Sequence, residues 1–176
     1  MKTDIRKKTT ETGEDFTTIS PLGYVPALQL DDGQVLLEYT AILPFIASLK
    51  PGVLAPTGDA LTEARLHEAL GFLSAELHKA FGPFFGNPQG DARETAMTKL
   101  TSRLGFVEKH LSDGRETWLT GDFSVADAYA FVLLSWGDHF DISYDSYSNI
   151  ARYVERISSR RSVQKALQEE GLLQAA

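Results

Sequence analysis

Apolar positions along the chain fall into three regimes. Residues 1–20 are polar, rich in Thr, Lys, Glu and Asp, with only Ile5, Phe16 and Ile19 as anchors. They read as loop or short irregular helix, with no strand ahead of residue 27. In ALQLDDGQVLL two short apolar runs flank Asp31, Asp32 and Gly33, and Asp-Gly supplies the positive φ of a tight hairpin turn. Strands are predicted at 27–30 and 34–37. From Glu38 the period changes, with Ala41, Ile42, Phe45, Ile46 and Leu49 at helical spacing and Pro44 as a kink.

Pro and Gly then punctuate KPGVLAPTGDA, and everything after it is helical in character. Leu66, Leu70, Leu73, Leu77, Phe81 and Phe84 step by three and four, as do Ala96, Leu100, Leu104, Val107 and Leu111, each series predicting one buried stripe. Residues 125–136, VADAYAFVLLSW, are apolar all round apart from Asp127 and Ser135, which predicts a central buried helix. Ser124 with Asp127 three positions on resembles a capping box, worth ~1 kcal/mol. Ile150, Val154 and Ile157, then Val163 and Leu167, predict one or two further helices. Arg152, Arg156 and Arg160 form a stripe there, read as a solvated face rather than an anion site. The chain is therefore α+β: a small N-terminal part over 1–50, a linker over 51–59 and an all-α part over 60–176.

Composition narrows the chemistry. A hydrophobic fraction of 43% closes a real core, and a net charge of −7 argues against a nucleic-acid surface. No run approaches the ~20 apolar residues of a membrane span, and the N-terminus lacks the apolar stretch of a secretory signal, so a cytoplasmic protein with no membrane partner is expected. The absence of cysteine rules out disulfides, thiolate metal sites and any protein thiol nucleophile within these residues. There is no G-x-G-x-x-G, P-loop or G-x-S-x-G. His67-Glu68 begins a zinc-protease-like pattern, but Gly71 stands where the second His belongs, and no metal is expected.

Three motifs in order, GYVPALQLDDGQVLLEYTAI, ELHKAF at 76–81 and LTGDFSVADAYAF at 119–131, resemble a bacterial glutathione S-transferase of the beta-class type, over nearly the whole chain. The resemblance implies a thioredoxin-like N-terminal part followed by an all-α domain, usually a homodimer, with glutathione at the crevice between the two and a hydrophobic electrophile as second substrate. It further implies a cis Val25–Pro26 step whose valine main chain pairs with the cysteinyl backbone. The other reading is an ordinary trans Pro opening an edge strand.

The same resemblance gives Glu38 to the γ-glutamyl ammonium, while the helix N-terminus at Tyr39 offers its N–H groups to the γ-glutamyl carboxylate. Glu38 also reads as a first-turn acid facing the helix dipole. Tyr39 replaces the Ser common there, so only its backbone carries over. Lys8 is matched to the glycyl carboxylate, with a solvated lysine as the alternative. His78 and Lys79 match the family's ELHK motif, in which the histidine faces the glutathione sulfur and supports catalysis. The alternative is a histidine satisfied at a helix interface. His67, Gly71, Ser74 and His78 are expected on one stripe.

By the same comparison the chain reads as truncated, lacking the family's first strand, first helix and most of its second strand, with the residue that helps ionise the thiol. Lowering a thiol pKa of ~8.5 by ~2 units requires ~2.7 kcal/mol. Three origins stay open: upstream coding sequence, a shortened protein, or strands supplied by a partner chain. The expected function is glutathione conjugation to electrophilic small molecules, weak or lost in this chain. The alternative is a non-catalytic glutathione-binding or assembly module.

Overall fold

The computed structural model describes residues 3–112, 114–119 and 121–173. Two hairpins open the chain. Strands β1 (Thr3–Asp4) and β2 (Thr9–Thr10) pair antiparallel, and a 3₁₀ turn follows over Phe16–Thr18. Strands ahead of residue 27 correct the expectation of loop alone. They are two residues long and polar, so they carry no apolar alternation, and it is the β-branched threonines that suit the extended backbone.

Strands β3 (Ala27–Gln29) and β4 (Val35–Leu37) form the second hairpin, each about a residue shorter than predicted at the turn. The turn is a three-residue loop in which the Gly33 N–H donates to the Leu30 carbonyl and Gly33 takes φ 86°, the left-handed position that glycine accepts without strain. The Asp32 carboxylate accepts the Gln34 N–H at 3.0 Å and fixes the return. The two hairpins are separate sheets.

Helix α1 (Tyr39–Ser48) contains Pro44 and buries Ile42 and Ala47; Leu49, predicted on its apolar stripe, is 64% exposed. The linker is not a free tether. Leu54 and Ala55 pack on the core, and the Leu54 carbonyl accepts the Val125 N–H at 2.8 Å.

Helix α2 (Ala60–Phe72) begins at Asp59, whose carboxylate caps Thr62 N at 2.9 Å. It runs into a π-helical turn over Leu73–His78, then α3 (Lys79–Phe81) and a 3₁₀ turn over Gly82–Gly86. Helix α4 (Gly90–His110) follows, and both predicted stripes are buried as read. Their burial joins α2, the π-helical turn and α4 into the main core. Glu76 in the π-helical turn is bound by Arg103 of α4 at 2.7 Å, a half-exposed pair.

Helix α5 (Val125–His139) passes through the middle of this core. At its start the Asp127 carboxylate accepts the Ser124 N–H at 2.8 Å, the Ser124 hydroxyl at 2.9 Å, the Trp118 N–H at 2.6 Å and the Tyr153 hydroxyl at 2.8 Å. Helices α6 (Ser148–Ser158) and α7 (Arg161–Glu169) close the chain. The α6 N-terminus is capped from another element: the Glu108 carboxylate accepts the N–H groups of Asn149 and Ile150, each at 3.0 Å. The arginine stripe has partners. Arg156 donates to the Glu116 carbonyl, and the Arg160 guanidinium lies 4.1 Å from the Phe123 ring centre. The result is a small sheet-bearing N-terminal part packed through α1 on a mostly helical domain.

Candidate functional site

A cleft of about 360 Å³ lies where the second hairpin and the start of α1 face the π-helical turn. Val25, Pro26, Glu38 and Tyr39 line one side, and Ser74, His78 and Lys79 the other. Three larger recesses lie elsewhere, two of about 790 and 710 Å³ around Phe106, His110 and Arg115 and one of about 810 Å³ beside Tyr144 and Arg152. None of the residues singled out as a candidate site residue lines them, so chemistry rather than size selects the smaller cleft.

The Val25–Pro26 bond is cis, and Val25 is exposed at the mouth of β3. Glu38 stands before the first residue of α1 at φ 71° and ψ 131°, a conformation rare for any residue with a Cβ. Its side chain does not cap the helix, and its carbonyl instead takes the first two helical bonds, from Ala41 and Ile42. The N–H groups of Tyr39 and Thr40 are therefore free of intrahelical partners, as a helix start leaves them. Backbone held in a sparsely populated region beside a cleft marks a candidate functional position.

His78 and its neighbours form the opposite wall. Its Nδ1 lies 2.9 Å from the Tyr129 hydroxyl, and its ring meets Trp136 edge-on at 5.0 Å. Desolvation pushes the imidazole pKa down and so favours the neutral ring. The Tyr129 ring, 4% exposed, stacks on Tyr39 at 4.6 Å and 20°. Burial raises both phenol pKa values and keeps both protonated. The Tyr39 side chain thus faces inward onto α5, consistent with only its backbone serving a ligand.

Two placements bear on the sequence expectations. Lys8 is outside the cleft wall: its aliphatic stem crosses Gly23 so closely that a Cβ there would come within 2.6 Å of Lys8 Cδ. The stripe from His67 to His78 is also split. Ser74 and His78 share the cleft, but His67 lines a separate recess beside Thr57 and Glu63. The two residues are eleven positions apart on one helical run, about 16 Å along its axis, and the π-helical turn over Leu73–His78 lies between them.

Sequence reasoning missed Tyr129, reading it only as part of a buried helix. A tyrosine in an otherwise apolar run was the available signal, since a buried phenol needs a hydrogen-bond partner. The hydroxyl-bearing Ser20 and Tyr24 also reach the cleft, and no pattern marked them. Among the described residues no group of three or more His, Asp or Glu gathers to hold a metal ion, and no helix is long and apolar enough to cross a membrane.

Comparison with known proteins agrees with this geometry. Residues 2–49 match the N-terminal domain of glutathione S-transferases and residues 72–161 match the C-terminal domain. The Glutathione S-transferase GstA of Escherichia coli O157:H7 is 36% identical over 177 residues, covering 98% of this chain and 86% of that protein. The bacterial beta-class enzyme of Sphingomonas chungbukensis superposes with a TM-score of 0.90 at 44% identity, over 97% of this chain and 86% of that one. A sphingomonad glutathione S-transferase complexed with glutathione gives 0.89 at 40% identity, with the same coverage. Matched in sequence over almost its whole length and in fold by beta-class neighbours, the chain belongs to the glutathione S-transferase family.

Proposed function

We propose that this chain binds glutathione in the cleft between Val25 and His78 and brings its thiol to electrophilic, hydrophobic small molecules. In this reading the γ-glutamyl ammonium meets Glu38, and its carboxylate meets the free N–H groups at the start of α1. The cysteinyl main chain runs along the exposed Val25 backbone as an added strand would. Lys79, and Lys8 from outside the wall, supply positive charge toward the glycyl carboxylate. The observation that carries the reading is the pairing of an uncapped helix start and a conformationally strained Glu38 with His78 across one cleft. Binding by the sphingomonad relative supports it. We further take the protein to act in the cytoplasm as a homodimer, with the thioredoxin-like part ending near residue 50.

Weak turnover is part of the proposal. The chain has no cysteine, and desolvation disfavours the charged form of His78. A single neutral donor to a thiolate contributes about 1.5–3 kcal/mol, on average short of the about 2.7 kcal/mol that ionising the thiol near neutrality takes. That shortfall also favours a second reading, a glutathione-binding or assembly module without catalysis. Calorimetric titration with glutathione tests the shared claim, and binding lost in Glu38→Ala supports it. Turnover of a chloronitroaromatic substrate then separates the two readings. Heatless titration with no thermal shift sinks both.

A further inference from the structure

We propose that Tyr129 is a positioning residue for His78: its hydroxyl donates to Nδ1 and thereby fixes the imidazole in the tautomer that keeps its proton on Nε2. The inference rests on the cleft being the glutathione site, but its central observation does not depend on any ligand.

The two groups are 51 residues apart in sequence and 2.9 Å apart in space. One must donate, and two arrangements are available. If Nδ1–H donated to the phenol oxygen, the phenol hydrogen would have to turn to the nearby Ser74 hydroxyl, which makes no hydrogen bond with Tyr129 within 3.5 Å, whereas His78 Nδ1 lies at 2.9 Å. If the phenol donates to Nδ1, both part-buried polar groups are satisfied by the single contact, in keeping with a protein in which no buried side-chain N or O atom of the described residues lacks a partner. Nδ1 is then an acceptor, and the hydrogen resides on Nε2.

The placement of Tyr129 is over-determined. Its ring is held between α1 and α5 by the stack on Tyr39, and its helix is anchored two residues earlier by Asp127. His78 is pinned on its other side by the edge-on contact with Trp136. The imidazole therefore has one ring edge committed to Tyr129, leaving the Nε2 edge for the cleft that His78 lines. Without the phenol hydrogen, neutral histidine would divide between its two tautomers. Only the one bearing Nε2–H offers a hydrogen-bond donor, rather than a lone pair, to a thiolate. A lone pair facing a thiolate repels it, so the tautomer decides whether His78 helps or hinders.

Nitrogen-15 NMR of the imidazole in the unliganded protein tests the inference directly. Wild type should show His78 with a protonated Nε2 and a bare, hydrogen-bonded Nδ1. Tyr129→Phe, which keeps the ring and its stack on Tyr39, should convert His78 to a mixture of tautomers. A wild-type His78 with its proton on Nδ1, or a Tyr129→Phe spectrum identical to wild type, overturns the proposal. The wild-type spectrum suffices alone if the variant does not fold. In the glutathione complex, thiolate absorbance followed against pH should show a higher thiol pKa in Tyr129→Phe, with glutathione affinity within about twofold of wild type. An unchanged thiol pKa removes the positioning role. A failure of glutathione to bind would sink the binding reading while the tautomer result stands.

Discussion

The Asp127 carboxylate accepts the Tyr153 hydroxyl at 2.8 Å across 26 residues of sequence, with both side chains fully buried. The same carboxylate holds the start of α5 and the Trp118 backbone, so one charge fixes three segments. Asp127→Ala would leave four buried donors, two on Ser124 and one each on Trp118 and Tyr153, without their acceptor, each costing about 1–3 kcal/mol. The expected loss is about 4 kcal/mol or more, enough to unfold much of the population of a marginal domain. Tyr153→Phe leaves the remaining donors paired and should cost only about 1 kcal/mol. Urea midpoints for the two variants check the ordering, and equal midpoints would refute it.

Glu108 caps α6 from α4, so its removal should act at a distance. Glu108→Ala should cost about 1–2 kcal/mol, the range of a lost N-cap enhanced by charge at a helix N-terminus. Glu108→Gln keeps an acceptor and should recover part of that. Hydrogen exchange at Asn149 and Ile150 locates the effect. Protection unchanged in Glu108→Ala would mean that water replaces the cap without loss.

Histidine burial sets a pH dependence whose sign is fixed. Desolvation lowers the pKa of both His78 and His110, and for His110 the hydrogen bond with the Trp118 carbonyl offsets that only partly. The folded state therefore binds fewer protons than the unfolded state below the ordinary histidine pKa of about 6.5. The stability each contributes is complete above that value and is lost as pH falls through the lower folded pKa. Thermal midpoints should drop between about pH 7 and about pH 5 more steeply in wild type than in His110→Gln. Parallel curves would count against it.

How far the fold could be read from the sequence depended on the physical signal. The stripes Leu66 to Phe84 and Ala96 to Leu111 were legible because burial imposes a helical period on apolar residues. The hairpin was legible from Asp-Gly. The strands at Thr3–Asp4 and Thr9–Thr10 were not, since two polar residues carry no period. The π-helical turn left no mark either. At the site, Val25, Pro26, Glu38 and His78 were found through a family resemblance, and the cleft brings them together. Tyr129 became visible only when a hydrogen bond 51 residues long was in view.

Glu38 allows stability and binding to be separated in one position. Its φ of 71° is reached freely by glycine but at a cost of about 1–3 kcal/mol by a residue with a Cβ. Glu38→Gly should therefore stabilise the protein by up to about 1 kcal/mol, because glycine also gains entropy in the unfolded chain, which offsets part of the relief. Glu38→Ala keeps the Cβ and should leave stability within about 0.5 kcal/mol of wild type. Both variants remove the carboxylate, so both should lose glutathione affinity by about tenfold or more, the ~1.4 kcal/mol or greater of a charge-assisted contact. Chemical denaturation and calorimetry on the same samples read the two quantities. A Glu38→Gly protein that is less stable than wild type would show that the strain is compensated locally. One that binds glutathione undiminished would show that the carboxylate is held there for some purpose other than the ligand.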